Sequence, residues 1–359
     1  VIPDIDDVAP ALREWFDDRR RDLPWRRDSD PYRVLVSEVM LQQTRVEAVV
    51  PYYERWMTRF PTLVALADAG LDDVLGEWEG LGYYSRARNL HATARIVRDS
   101  AGGVIPDSVA GLRALPGVGE YTAGAVASIA FGRPEPAVDG NARRVLSRLF
   151  DLEAPRAAEL RERARTLVPA DRPGDFNQAL MELGATICRP RAPRCVECPL
   201  AAWCLARLRG TVGARPGPAS RPPVPFFDLG VAVVVSPQGR ALMVRRPEDG
   251  MLARLWEFPG RTVAAGEPPA SAAARAIATL VPDAEPLRPL TTISHAYSHR
   301  RHVYHACLFE TPRETRPRPR DLARAGWTAA AWERPDPAGR ALPAAQRRIA
   351  RALASLVPC

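Results

Sequence analysis

Lysine is missing. All 50 basic residues of this 359-residue chain are arginine. Chemistry that needs a lysine amine is therefore excluded: a phosphate loop with its Lys, a Schiff-base aldolase, a pyridoxal enzyme, or a lyase that cuts DNA through a lysine imine. High genomic GC content suffices to explain the bias, and the exclusion holds whatever its cause. No run of 18 or more apolar residues occurs, so no transmembrane helix is expected. Residues 1–7 are acidic and lack the basic-then-apolar pattern of a secretory signal. Cysteine is scarce and unevenly placed: four of the six fall within residues 188–204, with Cys307 and Cys359 apart. A secreted scaffold would spread them for pairing. Crowding reads as a metal site in a reducing compartment.

What is present fits a globular chain of about two domains, each long enough to bury its own core. Net charge is +8 and the isoelectric point about 9.6, which suggests a polyanionic partner. Residues 1–210 read as helical, with amphipathic stretches at 9–21, 31–43, 45–59, 71–77, 84–99, 121–131, 141–150 and 156–167. Thr44 with Glu47 has the spacing of a capping box. Asp107-Ser108 precedes a further helix, and glycines at 80, 82, 102, 103 and 117 mark breaks. Residues 211–225 hold five prolines and read as a stiff linker whose two arginines have no acidic counterpart. Residues 226–359 change period: strand-like runs at 229–236, 241–245 and 302–309 surround an Ala-rich helix at 271–280. Residues 311–320 read as an exposed Arg/Pro loop.

Cys188, Cys195, Cys198 and Cys204 follow C-x6-C-x2-C-x5-C. Four thiolates at that spacing can close around one [4Fe–4S] cube or one Zn²⁺. Arg189, Arg191 and Arg194 in the first loop could grip phosphate or lie on a solvated face. Leu115-Pro116-Gly117-Val118-Gly119 lies between two helical stretches. Its glycines permit a tight hairpin, and free N–H groups at the next helix start can hold a phosphate without reading sequence.

Together with Leu23-Pro24-Trp25-Arg26, the string from Ser37 to Thr44, Gly80-Leu81-Gly82-Tyr83-Tyr84 and residues 138–146, these motifs resemble the helix-hairpin-helix DNA glycosylase superfamily with an iron–sulfur loop, MutY-type adenine DNA glycosylases above all. The resemblance runs over about 200 residues. It implies a mostly α N-terminal part, a six-helix barrel packed on an iron–sulfur helical lobe formed by residues 1–30 and 139–210, with a [4Fe–4S] cluster on the four cysteines. The partner implied is duplex DNA carrying adenine opposite 8-oxoguanine or guanine, met by a monomer in the bacterial cytoplasm, at the nucleoid and away from membranes. Endonuclease III-like lyases of the superfamily carry Lys two residues after the hairpin's last glycine. Tyr121 stands there, so a monofunctional glycosylase is expected.

Cleaving an N-glycosidic bond needs a protonated leaving base and a stabilised oxocarbenium sugar, which two carboxylates can supply. Glu38 sits mid-helix among Val36, Val39 and Leu41, where desolvation would raise its pKa and suit a general acid. Asp139, before Gly140-Asn141, could be an ordinary N-cap; the resemblance makes it the sugar-cation stabiliser, supported by Tyr121 and Asn141. The resemblance also places Trp25, Arg26 and Leu41 around the flipped adenine, with Glu182 a weaker pocket candidate, and gives Gln43 and Tyr83 a wedging role near the orphaned base.

The C-terminal part resembles the Nudix-like α+β domain of the same family through Trp256-Glu257-Phe258-Pro259-Gly260. The acidic helix of true Nudix hydrolases is replaced by Ala-Ala-Ala-Arg-Ala-Ile-Ala-Thr, which cannot bind Mg²⁺. Four of the five histidines lie within residues 295–305. These could bind zinc, although no Cys/His ligand quartet accompanies them, or could simply line a polar loop and strand face. The resemblance instead makes Tyr297, Ser298 and His299 the 8-oxoguanine reader, with Tyr297 where the family has an intercalating Phe. Two other readings are an oxidised-pyrimidine or thymine glycosylase and a silent DNA-binding or redox protein on the same scaffold.

Overall fold

The structure, a computed structural model, describes residues 4–218, 223–337 and 339–356. Residues 219–222 of the expected linker and Cys359 lie outside them. The chain forms two compact units: Val1–Asp68 with Asn89–Ser220, and Ala69–Arg88 with Arg221–Cys359. No helix among the described residues is long and apolar enough to cross a membrane.

The first unit is helical. Asp30 caps the helix Pro31–Leu41 by accepting from the Arg33 N–H at 2.9 Å, and proline at the first position suits that start. Nearly the whole of this helix is buried, Glu38 included, against Glu120–Phe131. Gly117, at φ +73°, turns the hairpin before that second helix; a Cβ there would lie 2.6 Å from the Asn89 side chain. Asp139 does cap the next helix, Gly140–Leu149. Val8–Arg19 packs against Gly140–Leu149 and Pro173–Thr186 through Leu12, Phe16, Leu146, Phe176, Leu180 and Leu183. The N-terminal stretch thus shares a core with residues that follow the hairpin.

Two expectations need correction here. The helix Pro173–Thr186 was not among the expected ones, although Pro173 and the apolar 176, 179, 180, 183 spacing announce it. Arg215, expected to lack an acidic counterpart, pairs with Asp151 at 2.8 Å, and the linker's first residues are held by Arg148.

The second unit holds a seven-stranded sheet: β1 (Phe226–Val235), β2 (Ala241–Arg245), β3 (Trp256–Glu257), β4 (Gly260–Thr262), β5 (Glu285–Ala296), β6 (Arg301–Glu310) and β7 (Ala329–Glu333). The order is β3-β2-β1-β6-β5, with β4 also on β1 and β7 on β2; only the β1–β6 pair is parallel. Val231 and Val233 face the helix Ala344–Ala354, while Ala232 and Val234 face Pro269–Ile277. Both faces are covered, which is why β1 is a continuous apolar run and not an alternating one. Pro269–Ile277 carries no carboxylate.

Ala69–Arg88 joins this unit through specific bonds. Glu79 accepts from Arg347 Nε and Nη2 at 2.5 and 2.8 Å and from the Leu342 N–H at 3.1 Å. The Tyr84 hydroxyl donates to the Leu342 carbonyl at 3.0 Å, and Asp72 pairs with Arg245 at 2.7 Å. The chain therefore enters the second unit twice, once more than a single boundary at 211–225 implies.

Candidate active site and nucleic-acid interface

A cavity of about 780 Å³ opens in the first unit. Glu38 and Asp139 both line it, the one from mid-helix and the other from a helix start. Glu38 is only 5% exposed, and the Tyr121 hydroxyl donates to its Oε2. Burial pushes the Glu38 carboxyl up to about 7; the Tyr121 bond opposes this and the Asp139 charge adds to it. Tyr121 also contacts Met181 Sδ at 3.2 Å.

Asp139 is held at both oxygens. Oδ1 accepts from the Ala142 N–H at 2.6 Å, and Oδ2 from Asn141 Nδ2 at 3.0 Å. Burial raises its pKa and these bonds oppose the rise. Asn141 is oriented in turn by Arg144, whose Nη2 donates to Asn141 Oδ1 at 2.9 Å and to the Gly184 carbonyl at 2.7 Å. A Cβ on Gly184 would meet Asn141 at 2.6 Å, so only glycine allows this approach of the two helices. One carboxyl is thus poised to hold a proton near neutrality, while its neighbour is bonded as an anion.

Trp25, Arg26, Leu41, Asn141 and Glu182 line the same cavity, as do Gly117 and Gly119. Glu182, 1% exposed, accepts from Arg21 Nε at 2.7 Å and Nη2 at 2.9 Å, and from Arg26 Nη2 at 2.9 Å. It acts as a clamp that aims Arg26 and leaves the buried Arg26 Nε–H without a hydrogen-bond partner. Gln43 also lines the cavity, exposed and at φ +56°. Val118 does not line it; its side chain is buried. Arg21, Arg144, Gln178 and Met181 were missed from the sequence. Gln178 and Met181 stand on the overlooked helix Pro173–Thr186, one turn and one residue before Glu182.

Tyr83 lies in the second unit. With Tyr297, Ser298 and His299 it lines a cleft of about 550 Å³. It stands at φ +48°, 42% exposed, with the buried Arg86 guanidinium 5.4 Å from its ring centroid.

The four clustered cysteines are half-buried, Cys188 and Cys198 against the helical core. Cys198 is pushed up to about 12, mainly by burial and further by Cys188, Cys204 and Cys195, so the four thiols are neighbours. Arg148 donates to Cys188 Sγ at 3.3 Å and to the Arg189 carbonyl at 2.8 Å. Among the described residues, no three His, Cys, Asp or Glu side chains are grouped to hold a single metal ion, in the cysteine loop or in the histidine-rich hairpin. One tetrahedral ion needs every sulfur about 2.3 Å from a common centre. A cube of four irons spreads its thiolates wider, and an all-cysteine donor set fits it. Arg194 pairs with Glu197 at 2.9 Å; Arg189 and Arg191 are exposed.

Residues 36–170 match the HhH-GPD superfamily base excision DNA repair protein family, and residues 230–352 the NUDIX domain. The chain is 41% identical over 323 residues to the adenine DNA glycosylase of Rattus norvegicus, covering 73% of this chain and 62% of that one. It is 45% identical over 198 residues to the adenine DNA glycosylase of Mycolicibacterium smegmatis, covering 54% of this chain and 68% of that one. The structure of a thermostable thymine-DNA glycosylase superimposes with a TM-score of 0.54 at 31% identity, over 57% of this chain and 97% of that one. The chain spans about three fifths of the length of the rat relative. With paired carboxylates on the helical scaffold of its first unit and a Nudix-like sheet in its second, the chain belongs to the adenine DNA glycosylase family of the HhH-GPD superfamily.

Proposed function

We propose that the chain hydrolyses the N-glycosidic bond of adenine paired with 8-oxoguanine or guanine, leaving an abasic site for base excision repair. The observation that carries this is the pairing of two unlike carboxyls in one cavity: Glu38, raised to about 7, and Asp139, bonded as an anion. Adenine leaves the stack to enter the cavity. Protonated Glu38 gives its proton to a ring nitrogen, and the base departs as a neutral leaving group. Asp139 stabilises the oxocarbenium that forms, and water adds at the sugar carbon, its proton passing to the Glu38 carboxylate, which restores the acid. Arg26, held by Glu182, lines the cavity and supplies a guanidinium donor for the base edge, and Trp25 and Leu41 supply its apolar walls. Gln43 sits at the cavity rim, where it can fill the emptied stack. With Tyr121 in place of a lysine, and none elsewhere, no imine forms and the strand stays whole.

The Tyr83, Ser298 and His299 cleft reads the base opposite, and the hairpin at Gly117, Val118 and Gly119 with the Arg189 and Arg191 loop takes phosphates. Cys188, Cys195, Cys198 and Cys204 would hold the [4Fe–4S] cluster, which supplies a rigid, redox-capable centre when bound. A Cys198→Ser protein should lose most of its iron and sulfide, which are about four each per wild-type chain, and melt at lower temperature by calorimetry.

The deciding assay is single-turnover excision from duplexes with adenine opposite 8-oxoguanine, guanine or thymine, with and without alkali. Breaks that need alkali, fastest opposite 8-oxoguanine and absent opposite thymine, are expected. Tight binding without excision from any duplex would overturn the proposal.

A further inference from the structure

Ser298 and His299 form the two-residue turn between β5 and β6, and both are exposed. The residue before them is held from two sides. The Tyr297 N–H donates to the Arg300 carbonyl at 2.8 Å, and its hydroxyl lies 2.7 Å from that of Tyr304. The Tyr304 hydroxyl lies 3.0 Å from His302 Nδ1. Strand pairing explains the meeting. His295 pairs with His302 and Ile293 with Tyr304, so alternation puts His295, Tyr297, His302 and Tyr304 on one face. The Tyr297 ring meets those of His295 and His302 edge-on, with centroids 4.5 and 5.1 Å apart. Tyr304 is 4% exposed and belongs to the core under Ala344–Ala354.

We propose that Tyr297 is an anchor locked inside the hairpin, not an aromatic that slides between base pairs, and that Tyr304 and His302 are positioning residues that fix how Ser298 and His299 are presented. This rests on the reading of that turn as the 8-oxoguanine reader. To intercalate, Tyr297 would have to abandon a hydroxyl partner and two ring contacts, and would strip the buried Tyr304 hydroxyl of one of its bonds. Burial, and then the positive charge of Arg300, holds the His302 pKa down at about 4, so the ring is neutral at pH 7. In the tautomer protonated at Nε2, Nδ1 accepts from the Tyr304 hydroxyl, whose oxygen then accepts from Tyr297; in the other tautomer Nδ1 donates, and the same three groups stay linked. The tyrosine at 297, where the family resemblance implies an intercalating phenylalanine, is accounted for by Tyr304 and His302 on the adjacent strand.

The chain of bonds predicts an unusual mutational order. Tyr297→Phe removes the end hydroxyl and leaves the Tyr304–His302 bond intact. Tyr304→Phe removes the middle, stranding both the Tyr297 hydroxyl and His302 Nδ1. Adding Tyr297→Phe to Tyr304→Phe removes one stranded group. The readout is the single-turnover rate opposite 8-oxoguanine divided by the rate opposite guanine. We expect Tyr304→Phe to lower this ratio about tenfold and Tyr297→Phe less than about threefold, with the double variant recovering toward the milder one. The guanine-opposed rate of Tyr304→Phe should stay within about twofold of wild type. His302→Leu, at a half-buried position, tests the same chain with both hydroxyls retained, and should lower the ratio about threefold. Ser298→Ala is the control for the underlying reading. If it lowers the ratio while Tyr304→Phe and His302→Leu do not, the anchor proposal is overturned and the reader stands. If Ser298→Ala and Tyr83→Ala both leave the ratio unchanged, the reader itself is overturned. Equal loss of both rates in Tyr304→Phe would reduce Tyr304 to a fold residue and also overturn the proposal.

Discussion

Glu38→Gln should lower single-turnover excision by about 10²–10⁴-fold and leave duplex affinity within about twofold. Gln keeps the shape and still accepts from the Tyr121 hydroxyl, but it has no proton to give. A gel-shift titration beside the excision assay checks both halves. Excision near the wild-type rate would remove Glu38 from the mechanism. The wild-type rate carries its own signature. In the proposed mechanism the acid form of Glu38 gives the proton, so excision should fall as pH rises through about 7. Stability follows the same group. Its folded pKa lies above the unfolded value of 4.5, so the folded protein resists ionisation that the unfolded chain accepts. Between those values stability is lost as pH rises, by about 1.4 kcal/mol per unit. Glu38→Gln should therefore melt higher than wild type at pH 8 by calorimetry, while the two converge below pH 4. A carboxyl kept for catalysis at the expense of folding is the expected pattern at an active site.

Asp139 has a structural role and a proposed chemical one that substitution can separate. As N-cap it receives the Ala142 N–H, and in the proposed reaction its anion stabilises the sugar cation. Asparagine caps a helix about as well as aspartate does. Asp139→Asn should thus leave the melting temperature within a degree or two and lower excision by about 10²–10³-fold, the cost typical of losing one electrostatic stabiliser. Asp139→Ala should lose the same activity and about 1 kcal/mol of stability besides. If Asp139→Asn is active while Asp139→Ala is not, the cap alone matters and the anion does not.

The burial of Glu38 was legible from its place inside an apolar helix, and the cap at Asp139 from its place at a helix start; only the family resemblance linked the two as a pair. Helices with a clear cap and period, such as Pro31–Leu41 and Gly140–Leu149, were legible on the same local grounds. The clamp by Glu182 on Arg26 was not, since the pair is separated by 156 residues and no periodicity carries that information. Arg144 looked like any surface arginine, although its guanidinium sets the amide of Asn141. β5 was missed because prolines at 286 and 289 and two register irregularities break its alternation. The hydroxyl of Tyr297 looked like an encumbrance on an intercalator until Tyr304 appeared across the hairpin.

Glu79, Tyr84 and Asp72 belong by sequence to the stretch that matches the glycosylase family, yet they find their partners in the C-terminal part: Arg347 on the helix Ala344–Ala354, Leu342 just before it, and Arg245 on β2. The two halves are therefore not interchangeable cassettes. A gene fusion that swapped the C-terminal part at residues 211–225 would strand the Glu79 carboxylate opposite a foreign surface and leave the loop bearing Tyr83 without its support. Inheritance of a new second half would require residues 69–88 to change with it, so the unit that evolution can exchange is larger than the one that a proline-rich linker delimits.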